Sequence, residues 1–166
     1  EANKWLSYGL KKKEEKEVNN LLIGGNEDHL IESFHKKLEF GTGGMRGLIG
    51  IGSNRINSYT ISLATQGLCN YLKKTCKNAR SAVIAYDSRR FSKEFGNQTA
   101  KIFSANNIKS HIFSDLRPTP ELSFAVRELN CSCGIVITAS HNPKEYNGYK
   151  VYWNDGGQIT SPHDKN

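Results

Sequence analysis

The stretch Gly134-Ile135-Val136-Ile137-Thr138-Ala139-Ser140-His141-Asn142-Pro143 indicates the fold most directly. Its first four residues are small or apolar and rich in β-branching, which is typical of a strand covered on both faces. Pro143 cannot continue a strand ladder, and it pushes Asn142 toward an extended or turn conformation. We therefore expect Ser140 on a tight connection at the carboxyl end of a buried strand, the edge at which open α/β sheets bind ligands.

Strands and helices are predicted to alternate around this stretch. The further elements expected from apolar periodicity are strands at 82–86, 111–113 and 149–153, and helices at 58–77, 92–106 and 119–129. Ser58 and Thr119 are the expected N-caps of two of these helices. The alternation predicts an α/β fold, a layered domain with a mixed, mostly parallel sheet between helices. The last strand returns over a short connection, so it is expected to be antiparallel.

The first 38 residues are expected to form a helical extension. One helix is predicted from residue 3 to 22, and a second from Glu27 to Leu38, with Gly24 and Gly25 between them. A glycine-rich segment follows and is expected to lead into a strand at 48–51. The predicted organisation is an extension at 1–38, a domain at 39–160, and the start of a linker at 161–166.

Charge and composition narrow the classes of partner. The formal net charge is +7, which raises nucleic acid as a partner. However, the run from Lys11 to Glu17 mixes both signs, as a solvated helix face does. The other cations form no single dense run. Six cations lie within or beside the sequence motifs, a distribution that favours a small phosphorylated ligand over a long polyanion; they are Arg46, Arg89, Arg90, Arg117, Lys144 and Lys150. We therefore expect no nucleic-acid partner.

Membrane and disulfide signals are weak. No apolar stretch approaches the roughly 20 residues that span a bilayer, so no membrane partner is expected. The N-terminus has no signal-peptide pattern, and a cytoplasmic location is the default expectation. Four cysteines are too few for a disulfide framework in 166 residues, and their spacing does not match a zinc knuckle, so they are expected to be buried or incidental thiols.

Several motifs occur in a fixed order along the chain. They are Phe40-Gly41-Thr42-Gly43-Gly44-Met45-Arg46-Gly47, Tyr86-Asp87-Ser88-Arg89-Arg90-Phe91-Ser92, Arg117-Pro118-Thr119-Pro120-Glu121-Leu122, the serine stretch, and Asn147-Gly148-Tyr149-Lys150 with its continuation to Ile159. In these residues the chain resembles the α-D-phosphohexomutases, the phosphoglucomutase and phosphomannomutase superfamily. The continuation is most similar to the branch that contains phosphoglucomutase-2 and phosphopentomutase. The resemblance implies the fold of phosphoglucomutase domain I.

The resemblance implies a role for four residues. Ser140 corresponds to the serine that carries the phosphoryl group, and Mg²⁺ would bind through its phosphate. Arg46 and Lys150 correspond to residues that contact substrate and are candidates for proton transfer, and His141 is a third candidate. The implied catalytic residues are Ser140, His141, Lys150 and Arg46, and the implied substrate-binding residues are Arg46, Ser140 and Lys150. A sugar 1,6-bisphosphate is the implied activator.

The residues by themselves leave alternatives open. Lys150 could be a solvated strand lysine, and an isolated histidine such as His141 is more often structural. Neighbours on an extended segment point to opposite sides, so direct deprotonation of Ser140 by His141 is not expected. Phosphoryl transfer depends on in-line placement of the reacting oxygens and on nearby cations. It needs less activation of the serine hydroxyl than a hydrolase mechanism does. Asp87, Arg89 and Ser92 are expected to brace the site from the neighbouring strand end.

The resemblance also implies that domains are missing from this sequence. The family has four domains, and its Asp-x-Asp-x-Asp metal segment, sugar-selecting loop and phosphate-gripping loop have no counterpart in these 166 residues. The chain is therefore expected to be domain I of a phosphoglucomutase or phosphomannomutase, inactive alone, with the other domains of the parent chain as its partners. The alternatives are a phosphopentomutase or glucose-1,6-bisphosphate synthase of the same branch, or a non-catalytic phosphosugar-binding module.

Overall fold

The computed structural model describes residues 1–41, 43–76, 80–161 and 163. The helices among these residues are α1 (Ala2–Leu6), α2 (Lys12–Ile23), α3 (Glu27–Phe34), α4 (Ser58–Thr75), α5 (Ser92–Ala105) and α6 (Thr119–Glu128). The strands are β1 (Gly44–Leu48), β2 (Ser81–Tyr86), β3 (Lys109–Ile112), β4 (Cys133–Ile137) and β5 (Tyr146–Trp153). None of the helices in this part of the chain is long and apolar enough to cross a bilayer.

The five strands form one mixed sheet in the order β1-β5-β4-β2-β3. Strands β3, β2 and β4 are parallel, whereas β5 pairs antiparallel with both β4 and β1. Helices α4 and α5 pack on one face of the sheet, and α6 packs on the other. The predicted layered α/β fold with a mixed sheet is confirmed, and so is the antiparallel direction of the last strand.

Strand β4 lies in the middle of the sheet and is buried along its whole length. Helix α6 can approach it closely because Gly134 has no side chain, and a Cβ there would lie 2.5 Å from a methyl of Val126. The strand that the apolar run predicts is therefore present at the predicted place. It stops before Thr138, so the serine stretch leaves the sheet at its carboxyl edge.

The N-terminal extension has a small core of its own. Trp5 lies edge-on to both Phe34 and Tyr59, with ring centroids 5.6 Å apart in each pair. Ile51, which follows β1, completes this core from the domain side. The extension is therefore packed against the start of α4 and the segment before it.

The predicted single helix over 3–22 is wrong. The chain forms α1 and α2 instead, and Gly9 between them has a φ of +70°, which a right-handed helix does not allow. The second helix ends at Phe34 rather than Leu38. Apolar residues recur at helical spacing both across the break between α1 and α2 and beyond the end of α3. Periodicity alone therefore does not show where these helices end.

The predicted strand at 48–51 is also wrong, because the glycine-rich segment itself forms β1. Gly44 has a φ of +147°, and a Cβ on it would lie 2.0 Å from the carbonyl oxygen of Tyr149 in β5. Because β1 requires glycines where it packs closely on β5, its sequence lacks the apolar pattern that predicts a strand.

Smaller differences concern element ends. Asn57, not Ser58, caps α4 by accepting from the backbone N–H groups of Tyr59 and Thr60. Pro118 occupies the N-cap position of α6, so Thr119 is its first residue. The predicted strand at 111–113 begins earlier, at Lys109, and β5 begins three residues before the predicted Tyr149. The predicted helix end at Lys77 and most of the segment 161–166 lie outside the described residues.

Candidate active site

The predicted site residues gather at one edge of the sheet. The motif at 87–92 follows β2, and the serine stretch follows β4, its parallel neighbour. The backbone links these segments directly, because the N–H of Asp87 donates to the carbonyl of Ile137 at 3.2 Å. Strands β5 and β1 then bring two cationic residues, Lys150 and Arg46, to the same region from the other side of β4.

Ser140 is exposed at the tip of the loop after β4. Its φ is +59°, a left-handed conformation that is uncommon for a residue other than glycine. The backbone N–H of Ser140 donates to Oγ1 of Thr138 at 3.0 Å, which holds the turn. The serine hydroxyl is therefore presented outward on a backbone that is locally constrained.

His141 lies closer to Ser140 than the sequence suggests. The distance from Ser140 Oγ to His141 Nδ1 is 3.4 Å. The expectation that the two side chains point to opposite sides is wrong, since it assumed an extended backbone and Ser140 is left-handed. The two side chains are therefore on the same side of the loop, at a separation slightly longer than the roughly 2.6–3.2 Å of a direct proton-transfer hydrogen bond.

Arg89 holds the serine loop from the neighbouring strand end. Its Nη1 donates to the carbonyl oxygens of Pro143 at 2.8 Å and Tyr146 at 3.0 Å. Its Nη2 donates to the carbonyl oxygens of Ser140 at 2.8 Å and Asn142 at 2.6 Å. One planar guanidinium thus binds four carbonyls between residues 140 and 146, which fixes the path of the loop.

Asp87 orients this arginine. Its carboxylate lies 3.4 Å from Arg89 Nε, and it also accepts from the Arg89 backbone N–H at 2.9 Å. Ser92, at the start of α5, donates from Oγ to the same carboxylate at 2.7 Å. The expectation that Asp87, Arg89 and Ser92 brace the site from the neighbouring strand end agrees with these contacts.

Asn147 is a bracing residue to which the sequence analysis assigned no role. It is fully buried, and its Nδ2 donates to the carbonyl of Arg90 at 3.0 Å and to Ser92 Oγ at 2.9 Å. Its Oδ1 accepts from the backbone N–H of Gly148 at 2.8 Å. An amide inside an apolar strand is the signal that could have identified it, because a buried polar side chain needs partners.

Arg46 reaches the serine loop from β1. Its backbone pairs with Gly148 of β5, and its Nη1 donates to Asn142 Oδ1 at 2.7 Å. The rest of the guanidinium is exposed, so it keeps donors for a ligand. Arg46 and Ser140 therefore belong to one connected site.

Lys150 lies on the same face of the sheet as Arg46. It pairs with Val136 of β4 and stands two residues along β5 from Gly148, the partner of Arg46. Alternate residues of a strand share a face, so the two cations are diagonal neighbours. Lys150 is half-buried. Its partner Val136 lies two residues before Thr138, so Lys150 is two residues from the edge of the sheet at which the serine loop begins.

The arrangement suits an anion better than a bare cation. Arg46 donates to Asn142 in the loop of the exposed Ser140, and Lys150 lies on the same face of the sheet as Arg46. A guanidinium fork matches the oxygens of a phosphate. The nearby carboxylate of Asp87 is already bound to Arg89 and Ser92. Within the part of the chain that the structure describes, no group of three His, Cys, Asp or Glu side chains could hold a metal ion.

Comparison with known proteins identifies relatives of this chain. A family model described as "Phosphoglucomutase/phosphomannomutase, alpha/beta/alpha domain I" matches residues 37–166. The chain is 40% identical over 173 residues to the phosphopentomutase of Mus musculus, a match that covers 99% of this chain and 28% of that protein. It is 47% identical over 130 residues to the phosphoglucomutase of Staphylococcus aureus strain USA300, covering 78% of this chain and 23% of that protein.

A solved structure supports the same relationship. The crystal structure of a protein assigned as a phosphomannomutase, from Thermus thermophilus, superposes with a TM-score of 0.72 at 29% identity. That match covers 78% of this chain and 29% of the other. The chain therefore spans less than a third of the length of each of these relatives.

Proposed function

Because the chain belongs to the phosphoglucomutase/phosphomannomutase family and matches its domain I, we propose that it is the phosphoryl-carrying domain of a hexose phosphate mutase. The parent enzyme interconverts a hexose 1-phosphate and 6-phosphate through a phosphoserine at Ser140 and a sugar bisphosphate. The domain limits belong to this proposal: the N-terminal extension at 1–38, domain I at 39–160, and the start of a linker at 161–166.

One observation carries the proposal. The serine loop is held at four carbonyl oxygens by Arg89, while the hydroxyl of Ser140 remains exposed. In-line phosphoryl transfer depends mainly on placing the donor and acceptor oxygens and on neutralising charge, rather than on a strongly activated nucleophile. A rigid loop with an outward serine and adjacent cations meets both needs.

The proposed step conserves atoms and charge. The bond between phosphorus and Oγ of phosphorylated Ser140 breaks, and a bond forms between phosphorus and the free hydroxyl oxygen of the sugar monophosphate. The proton of that hydroxyl passes to a protein base, and Ser140 Oγ regains a proton. The bisphosphate then reorients in the site. The reverse reaction at its other phosphate rephosphorylates Ser140 and releases the isomeric monophosphate.

The neighbouring residues take defined parts in this step. Arg46 donates to equatorial phosphoryl oxygens with the nitrogens that Asn142 does not occupy. Lys150 binds substrate from the same face of the sheet and serves as a proton-transfer group. His141, 3.4 Å from Ser140 Oγ, is a third candidate for proton transfer in this proposal, and it would have to move closer to the hydroxyl to exchange its proton directly.

Magnesium fits this site through one ligand of this chain. Phosphate oxygens on Ser140 would be hard ligands of the kind that Mg²⁺ prefers, while the surrounding side chains are cations. The described residues of this chain include no group of three His, Cys, Asp or Glu side chains that could hold a metal ion. The proposal therefore assigns the remaining ligands to another part of the parent protein. Mg²⁺ bound there would neutralise charge on the transferring phosphoryl group.

A phosphopentomutase is the second candidate. The match to the mouse phosphopentomutase includes 99% of the chain and hence the N-terminal helices, whereas the match to the bacterial phosphoglucomutase includes 78%. A glucose-1,6-bisphosphate synthase of the same branch would use the same phosphoserine. Relative rates on glucose 1-phosphate and ribose 1-phosphate separate the two mutases, and net production of bisphosphate identifies the synthase.

The deciding experiment uses the full-length parent protein. It is incubated with Mg²⁺ and glucose 1,6-bisphosphate, and phosphorylation is mapped by peptide mass spectrometry. We expect phosphate on Ser140 that is discharged by hexose monophosphate, and no phosphate in Ser140→Ala. A folded, Mg²⁺-loaded protein with unmodified Ser140 would sink the mutase proposal and favour a non-catalytic phosphosugar-binding module.

Two subsidiary parts of the proposal have their own tests. Residues 1–166 alone should show no mutase turnover, because the remaining metal ligands and the sugar-selecting loop are expected elsewhere. Turnover by this purified segment would contradict that. The proposed cytoplasmic location, which places the enzyme with membrane-impermeant phosphosugars, is checked by cell fractionation.

A further inference from the structure

The N-terminal extension makes several polar contacts with the loop that leaves β1. We call residues 49–57 the β1–α4 loop, since they join the strand of Arg46 to helix α4. Residues 32 and 33, near the end of α3, meet residues 54 and 55 of this loop. The proposed chemistry does not use any of these residues.

The β1–α4 loop donates hydrogen bonds to carbonyl groups in the last turn of α3. Glu32 O accepts from Asn54 Nδ2 at 2.8 Å and from Arg55 Nη1 at 3.3 Å, and Ser33 O accepts from the Asn54 backbone N–H at 3.0 Å. These carbonyls have no partner within a helix, and a cation at this end also interacts favourably with the helix dipole. The extension is thus joined to the loop by specific hydrogen bonds.

Arg55 is the central residue of this contact. It is 6% exposed and is the one buried charged residue in the described part of the chain. Its Nη2 lies 3.2 Å from Glu32 Oε2. The Glu32 carboxylate is exposed, so the ion pair itself adds little, but opening the contact would also deprive the buried guanidinium of the Glu32 carbonyl, which makes the contact between α3 and the loop costly to open.

The loop transmits this constraint to β1. Asn57 Nδ2 donates to the carbonyls of Gly50 and Gly52, both at 2.9 Å, which closes the loop on itself. The Ile56 N–H donates to the carbonyl of Leu48, the last residue of β1, at 2.8 Å. Strand β1 lies at the sheet edge, so β5 supports it on one side and this loop supports its end.

A second contact reaches β1 beside Arg46. Leu38, at the end of the extension, packs on Gly47, where an added Cβ would lie 2.9 Å from Leu38 Cδ1. The Leu38 N–H donates to the Ser53 carbonyl at 2.8 Å, so the same loop holds Leu38 in place. The extension therefore constrains both the loop and the residue that follows Arg46.

We propose that Arg55 is a positioning residue: by locking the N-terminal extension onto the β1–α4 loop, it sets the position of Arg46 relative to Ser140. This inference rests on the proposed phosphoryl transfer for its kinetic consequence. It gives the extension a function in the site although none of its residues borders the serine loop in the contacts described above.

The test is a double-mutant cycle in the full-length protein with Arg55→Gln, Arg46→Gln and both together. The measured quantity is the single-turnover rate of transfer from phosphorylated Ser140 to a hexose monophosphate. We expect Arg55→Gln to slow transfer about 10- to 100-fold, as displacement of a catalytic group by about 1 Å does. In the Arg46→Gln background, the same change should slow transfer less than twofold, because the residue through which it acts is gone.

Two further variants keep the test decisive. Lys16→Gln removes one exposed charge from α2 and should leave the rate unchanged. If Arg55→Gln does not fold, Glu32→Ala removes only the exposed carboxylate and should give a smaller loss with the same dependence on Arg46. Equal losses in both backgrounds, or no loss in a folded variant, would overturn the proposal.

A readout without activity separates this inference from the proposed function. Hydrogen exchange of the peptide containing 44–48 should be faster in Arg55→Gln than in Lys16→Gln and the unmodified protein. If Ser140 is never phosphorylated, the proposed function fails, yet faster exchange in β1 still supports the positioning of Arg46. Unchanged exchange in a folded Arg55→Gln protein counts against positioning whatever the activity is.

Discussion

Arg46 and Asn142 are 96 residues apart in sequence, yet Arg46 Nη1 donates to Asn142 Oδ1 at 2.7 Å. This hydrogen bond joins the glycine-rich strand β1 to the loop that carries Ser140. Strand β5 lies between β1 and β4 in the sheet, so the bond joins segments that are not neighbours in the strand order. The glycine-rich motif and the serine stretch are therefore parts of one site.

We expect Asn142→Ala to slow phosphoryl transfer from Ser140 about tenfold while the affinity for the sugar phosphate changes less. The substitution removes the acceptor that orients Arg46, so the guanidinium must be ordered during the reaction instead of beforehand. Rapid-quench measurement of the phosphoserine peptide gives the rate. Asn142→Asp retains an acceptor oxygen and should recover most of it, and a rate equal to that of the unmodified protein in Asn142→Ala would count against the role of this contact.

Arg89→Lys should reduce the transfer rate about 10- to 100-fold although the positive charge is retained. A lysine ammonium cannot reproduce a planar fork that binds four carbonyl oxygens, so the serine loop loses its fixed path. The matched control is Arg90→Gln, because the Arg90 side chain is exposed and its main-chain carbonyl still accepts from Asn147. Equal loss of activity in Arg89→Lys and Arg90→Gln would show that the four hydrogen bonds from Arg89 to the serine loop do not matter for the transfer rate.

Gly148→Ala should lower the free energy of unfolding by about 1–3 kcal/mol. A Cβ at this position would lie 2.6 Å from the Thr138 carbonyl oxygen and 2.8 Å from that of Met45, so the strands on both sides must shift. Gly67→Ala in α4 is the control, since nothing lies within 4 Å of an added Cβ and alanine favours a helix by about 0.5–1 kcal/mol. Urea unfolding measures both, and a Gly148→Ala protein as stable as the unmodified one would contradict the close packing.

Stability should fall as the pH rises from about 9 to about 11. Burial raises the pKa of the Cys69 thiol to about 11 from an ordinary value of 9.0, and it also raises the pKa of Cys133 well above that value. Above pH 9 the unfolded chain releases thiol protons that the folded chain retains, so unfolding becomes more favourable. Each such thiol contributes a slope of up to about 1.4 kcal/mol per pH unit.

The pH prediction is checked by urea unfolding between pH 7 and pH 10.5. Cys69→Ala removes one of the retained protons, so the free energy of unfolding of this variant should fall less steeply with pH. Its lower stability at pH 7, from the cavity, does not affect that comparison. Identical slopes in the two proteins would show that Cys69 does not contribute to the pH dependence.

Sequence-based predictions agree with the structure where a local residue pattern determines the feature, and they fail where a tertiary contact determines it. The sequence predicts strand β4 because a continuous apolar run indicates burial on both faces. It does not predict strand β1 correctly, because the glycines of β1 are required by the closeness of β5, which no local pattern indicates. His141 was misplaced relative to Ser140 because one left-handed residue changes the direction of a side chain, and propensities do not reveal such a residue when it is a serine.

By itself the sequence determined the α/β fold class, the buried strand before Ser140, and the order of the motifs along the chain. These features depend on apolar periodicity and on the backbone limits of proline and glycine, which act over a few residues. The tertiary structure alone decided that Arg89 clamps the serine loop, that Asn147 supports it, and that Arg46 reaches Asn142. Those contacts depend on which strands are neighbours and in what register, and both are set by packing of the whole sheet against its helices.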